Sequence, residues 1–153
     1  FTKAELDRWD DRQPGFVTRP INQFVFADSI LPVIEAGQVV LVEDGHCVDD
    51  ALTVEAAPGH TCGHVKIRVK SGEREGMFTG DTIHHPIQLP YPKLCSTFDE
   101  DPVQAMHTRL AMLEECASRN ILLLPTHFAD PFSCWIEAKG TAGPSYRAIW
   151  NHG

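Results

Sequence analysis

The sequence predicts an α+β domain, and three observations carry that reading. Residues 1–37 hold helix-forming patterns, residues 38–81 break into short β-branched segments, and residues 102–118 bring apolar side chains back at helical spacing. With 153 residues the chain is long enough for one compact domain, which buries roughly two thirds of its unfolded surface. A helical segment 1–37 and a sheet-rich segment 38–153 are expected to share it.

Thr2, followed three residues later by Glu5, is a capping-box signature for a short helix to about Arg12. The stretch "INQFVFADSILPVIEAG" predicts a second helix ending at Gly37, kinked or divided at Pro32. From Gln38 the period changes. "QVVLVED", "LTVEAAP", "HVKIRVKSG" and "GMFTGD" read as four strands separated by Gly, Asp or Pro. Asp101 is placed as an N-cap with Pro102 at the first helical position, and Val103, Met106, Leu110, Leu113 and Ala117 form an apolar stripe through Ser118. "ILLLPTH" reads as a buried strand ending in polar residues, and "CWIEAKG" with "SYRAI" as a closing hairpin.

Composition excludes several classes of function. The net charge is -8, with 13 Lys and Arg scattered among 21 Asp and Glu. Nucleic-acid binding would need a clustered cationic face, and none is present. No apolar run approaches the ~20 residues of a membrane span. Five cysteines without a C-x-x-C pair argue against both a disulfide framework and a zinc ribbon. A reducing cytoplasm is the expected home. The chain opens on Phe1, and its first residues are charged where a signal peptide would be apolar, so a processed or truncated product is expected.

The segment "AAPGHTCGHVKIRV" holds His60 and His64 four residues apart, a spacing that on a helix would put two imidazoles on one face. Pro58 and Gly59 before the pair, and the alternation of Val65, Ile67 and Val69 with Lys66, Arg68 and Lys70 after it, instead predict a turn running into a half-buried strand. The two histidines then need not share a target. His60, Asp81 and His127 each stand just past the end of a predicted strand. Ligands gather where strand ends open into loops, so the three are candidates for one site. Imidazole nitrogen and carboxylate oxygen are donors that Zn²⁺ accepts, and a carboxylate is able to bridge two ions.

"PGHTCGH", then "FTGDTIHHPIQ", then "LLPTHF" after a long helix, resembles the C-terminal half of metallo-β-lactamase-fold hydrolases, in the N-acyl-homoserine lactonase-like and methyl-parathion-hydrolase-like branch. "FTKAELDRW", "DSILPVIEAGQVVLVEDG" and "FDEDPVQAMHTRLAMLEECA" extend the resemblance over roughly residues 1 to 147. It implies an αββα sandwich in which His60 is the third histidine of a first metal site, Asp81 bridges two metals and His127 completes the second. It also implies a Zn²⁺-dependent hydrolase acting on a small-molecule ester, lactone or organophosphate. The H-x-H-x-D-H motif that the family carries in its N-terminal half is missing. Only His46 precedes His60, and no H-x-H or D-H pair occurs. The chain is therefore expected to be a partial domain with an incomplete ligand set, completed by a missing N-terminal half or pairing as a homo-oligomer. The alternative is a truncated or degenerate chain that self-associates without turnover.

Two groups of the remaining polar and aromatic residues keep two readings each. His84 and His85 line a substrate pocket or belong to a solvated loop. Phe128, Phe132 and Trp135 form an apolar wall for substrate or pack in the core. His64 is read as a packing or supporting residue, Cys62 as a small side chain rather than a ligand, and His107 as solvated.

Overall fold

The computed structural model describes residues 1–140 and 143–150. A seven-stranded sheet runs in chain order: β1 (His46–Cys47), β2 (Leu52–Ala56), β3 (Val65–Ser71), β4 (Arg74–Phe78), β5 (Leu122–Leu124), β6 (Cys134–Ala138) and β7 (Tyr146–Trp150). Every neighbouring pair is antiparallel except β4 and β5. That parallel pair needs a crossover, which the long helix α3 (Pro102–Arg119) supplies. The sheet and α3 match the mixed α+β class read from the sequence.

The N-terminal segment is helical in pieces. Helix α1 (Lys3–Trp9) begins at Thr2, whose hydroxyl accepts the Glu5 N–H at 3.1 Å. The Glu5 carboxylate turns to a neighbouring loop, accepting from the Thr61 hydroxyl at 2.5 Å and from the Gly63 N–H at 3.2 Å. Residues 20–37 form a 3-10 turn at Pro20–Asn22, a π-turn at Phe26–Ile30 and then α2 (Leu31–Glu35), which starts beside Pro32, where the missing N–H costs nothing. The predicted strand at 38–44 does not form. Among the described residues it makes a single bridge, Thr2 to Val42, and leaves Val40 and Leu41 exposed, because no strand there lies beside it to form a ladder.

The α3 face of the sheet holds the core: Met77, Leu123, Cys134 and Ile136 pack with Met112, Leu113 and Cys116 of α3. Side chains alternate along a strand, so Phe78, Leu122, Leu124, Trp135 and Ile149 lie on the opposite face. There Phe78 is 48% exposed and Ile149 43%. The stripe predicted for α3 is rotated. Ala105, Arg109, Met112, Leu113 and Cys116 are buried, whereas Val103 is 62% exposed. The reason is Arg109, a charged residue at a core-facing position, fully buried and held by three backbone carbonyls. None of the helices among the described residues is long and apolar enough to cross a membrane.

Candidate metal centre

Sheet geometry brings the three strand-end residues together. Phe78 of β4 lies beside Leu124 of the parallel β5, and Asp81 and His127 each follow three residues later. Strand β2 runs in the same direction as β4, because β3 is antiparallel to both, so the loop carrying His60 opens at the same sheet edge. One Asp81 oxygen lies 3.3 Å from His60 Nε2, and the other lies 3.0 Å from His127 Nε2. A single carboxylate therefore sits between two imidazoles.

Backbone close to helices fixes the His60 loop. Gly59 has φ +128°, and a Cβ there would lie 2.2 Å from the Ala105 nitrogen of α3. Only glycine permits that approach. The same loop accepts the Asp101 N–H at Gly59 and the Glu100 N–H at His60, tying it to the start of α3.

His64 serves the loop of Asp81. Its Nε2 accepts the Asp81 N–H at 2.8 Å, so Nδ1 carries the proton and donates to the Ala57 carbonyl at 3.0 Å. Burial pushes the His64 imidazole below its ordinary pKa, in keeping with this neutral form. Between them stands Gly80, φ +50°, where a Cβ would meet His64 Nε2 at 2.6 Å.

Two side chains that sequence reasoning missed complete the surroundings. Asp99, its side chain 1% exposed, places Oδ1 3.1 Å from His60 Nδ1, and its Oδ2 accepts the Ser96 N–H at 2.9 Å. Arg109 reaches toward it, with Nη2 3.6 Å from Asp99 Oδ2. In "STFDEDP" Asp99 is one of three acids ahead of a helix, where a capping or solvated role is the ordinary reading.

His84 lies between His60 and His127, with ring centroids 5.0 Å and 5.1 Å away, the second pair stacked. Its Nδ1 is buried without a hydrogen-bond partner among the described residues, and burial, with the neighbouring His60, lowers its pKa. It lines a cavity with His60, Asp81, Ser96, Phe98 and His127. His85 is exposed and accepts the Ile87 N–H at 3.1 Å, capping a 3-10 turn at Pro86–Gln88 instead of lining that cavity. Phe128 stands apart from these residues. It is 3% exposed and packed in the core 6.2 Å from Trp150, because it follows β5 on the face that α3 covers.

The donor set fits Zn²⁺. Two imidazole Nε2 atoms face one carboxylate, one of these histidines sets its other ring nitrogen within hydrogen-bond distance of a buried carboxylate, and an imidazole nitrogen with no partner among the described residues stands between them. Among the described residues, Asp81, His84 and His127 form one group, and His60, His84 and Asp99 another, whose ligand atoms lie within 4.8 Å of one another.

The chain belongs to the metallo-β-lactamase superfamily, whose model matches residues 2–127. Among solved structures it is similar to the hydrolase AbOPH of the β-lactamase superfamily, at TM-score 0.83 and 22% identity, over 99% of this chain and 54% of that one. AidC, described as a dizinc quorum-quenching lactonase in complex with a product, follows at TM-score 0.75 and 21% identity, again over 99% and 54%. A probable metal-dependent hydrolase from Staphylococcus aureus matches at TM-score 0.63 and 17% identity, over 76% of this chain and 42% of that one. The chain thus spans about half the length of the first two. No curated protein matches it.

Proposed function

We propose that this chain supplies part of the active site of a metal-dependent hydrolase of esters, lactones or organophosphates, with His60, Asp81 and His127 as zinc ligands. The observation that carries this reading is the Asp81 carboxylate, with one oxygen toward His60 and the other toward His127. That is the disposition a carboxylate shared between two metal positions requires. Zinc held by such donors polarises a carbonyl or phosphoryl oxygen and lowers the pKa of water. The chain's own residues orient and enclose. His64 holds the Asp81 loop, His84 fills the space between the two ligand imidazoles, and Ser96 and Phe98 border the cavity that a small substrate would enter. The remaining zinc ligands come from an N-terminal half in a longer polypeptide or a second chain. One similar structure is that of a dizinc lactonase, which supports a lactone as the first substrate to try. Five unpaired cysteines support a cytoplasmic setting.

The test is zinc content and turnover on a panel of lactones, aryl esters and phosphotriesters. The chain alone is expected to hydrolyse them no faster than free metal. Adding the family's H-x-H-x-D-H half, fused or separate, is expected to raise turnover, and Asp81→Asn to abolish the gain. Unchanged activity in Asp81→Asn would contradict the assignment.

The apolar face opposite α3 favours a second reading, a chain that self-associates without turnover. Phe78 and Ile149 are exposed there beside half-buried Val65, Ile67, Val69 and Leu124. Such a face attracts a partner.

A further inference from the structure

We propose that Asp99 and Arg109 form a buried positioning pair that sets the tautomer and aim of His60 and couples them to the Asp81 loop. The inference rests on the metal reading above but stands on separate contacts. His60 is the one proposed ligand here with both ring nitrogens facing carboxylates: Nε2 toward Asp81 at 3.3 Å, and Nδ1 toward Asp99 at 3.1 Å. Only the Asp99 contact has hydrogen-bond geometry. A carboxylate accepting at Nδ1 retains the proton there and leaves the Nε2 lone pair free for a metal.

Burial makes the arrangement rigid. Asp99 is 1% exposed at its side chain, and its second oxygen is occupied by the Ser96 N–H at 2.9 Å. A carboxylate withdrawn from water needs partners, and a charge buried alone is costly. Arg109 supplies the opposite charge from the middle of α3, with Nη2 3.6 Å from Asp99 Oδ2 and no other partner among the described residues. Its remaining donors clamp backbone: Nε to the Thr82 carbonyl at 3.0 Å, and Nη1 to the Pro92 and Leu94 carbonyls at 3.2 and 2.6 Å. Thr82 directly follows Asp81. One guanidinium thereby spans the carboxylate that orients His60 and the backbone beside the carboxylate that His60 faces. Lysine has no planar fork with which to do this.

A role confined to stability predicts unfolding on substitution and no preference in the His60 ring. A positioning role predicts a tautomer. The measurement is a long-range ¹H–¹⁵N correlation spectrum of the metal-free chain at alkaline pH with chelator present, with the His60 signals assigned from a His60→Gln variant. Zn²⁺ affinity is measured separately by chelator competition. In the unsubstituted chain His60 is expected as the Nδ1–H form. Asp99→Asn and Arg109→Lys should shift it toward Nε2–H and weaken Zn²⁺ binding by roughly 10- to 100-fold, the usual effect of losing a partner behind a ligand, with circular dichroism unchanged. A wild-type His60 in the Nε2–H form would overturn the proposal, as would a tautomer and an affinity unmoved in Asp99→Asn. Loss of the folded state in both variants would overturn it too, by making the pair purely structural. An Nδ1–H His60 in a chain that binds no zinc would count for this proposal and against the metal reading.

Discussion

His64 Nε2 accepts the backbone N–H of Asp81 at 2.8 Å, across 17 residues of chain. The second histidine of "HTCGH" therefore acts on the strand-end loop two strands away, while the first faces its carboxylate. With Nδ1 donating to Ala57, His64 satisfies two backbone groups at once. His64→Phe leaves both unmatched in a largely buried position, where each costs about 1–3 kcal/mol. The expected loss is about 2 kcal/mol or more in urea unfolding, with His64→Gln milder. A variant within 0.5 kcal/mol of wild type, roughly the range of a neutral surface change, would count against this role.

Gly59 is the position where the His60 loop has least room. Gly59→Ala puts a methyl group against the α3 backbone, which cannot swing aside as a side chain can, at a φ that L residues avoid. Overpacking of this kind costs about 1–3 kcal/mol. The prediction is a lower unfolding midpoint together with a shifted His60 signal in NMR spectra, whereas the same change at Gly72, with open space around its Cβ, should leave the His60 signal in place.

What sequence patterns reveal about this fold depends on whether a residue's neighbours are local. Alternation in 65–69, the Asp101–Pro102 start of α3 and the strand-end placement of His60, Asp81 and His127 are periodicities and caps, visible without knowing the fold. Asp99 and Arg109 escaped notice because their burial depends on partners 10 to 39 residues away. Arg109 also misplaced the apolar stripe of α3, since a charged residue is counted as outward-facing. "QVVLVED" has strand composition but no adjacent strand to complete its ladder, and Phe128 follows "LLLPTH" into the core, where pocket and packing look alike in sequence.

An ion network links β2, β3, β4 and α3. Arg68 bonds Glu55, Glu75 at 2.8 Å and Glu115 at 2.6 Å, and Lys66 also pairs with Glu55. Burial raises the Glu55 and Glu75 pKa values, but the Arg68 hydrogen bonds with the neighbouring Lys66 and Arg119 outweigh it and hold both below the ordinary 4.5. A carboxyl with a depressed folded pKa stabilises above its unfolded value and loses that contribution as pH falls through the folded one. Stability should thus drop below about pH 4.5, and Arg68→Gln should flatten that drop. Parallel acid limbs in urea midpoints of the two proteins would contradict the prediction.

Self-association through the open sheet face makes its own prediction. Phe78→Lys adds a charge at the centre of that face without touching the α3 core. Sedimentation should show a smaller assembly for the variant than for the unsubstituted chain at equal concentration. Identical sedimentation of the two would remove this face from consideration.

Zinc titration of the chain, with and without Asp81→Asn, bears most directly on the account. His60 and His127 face different oxygens of Asp81, and no single ion gathers the four ligands of a closed zinc site from them, so binding is expected to be weak and lost in Asp81→Asn. Zinc bound equally well by the Asp81→Asn chain, or no binding at any concentration the protein tolerates, would contradict it.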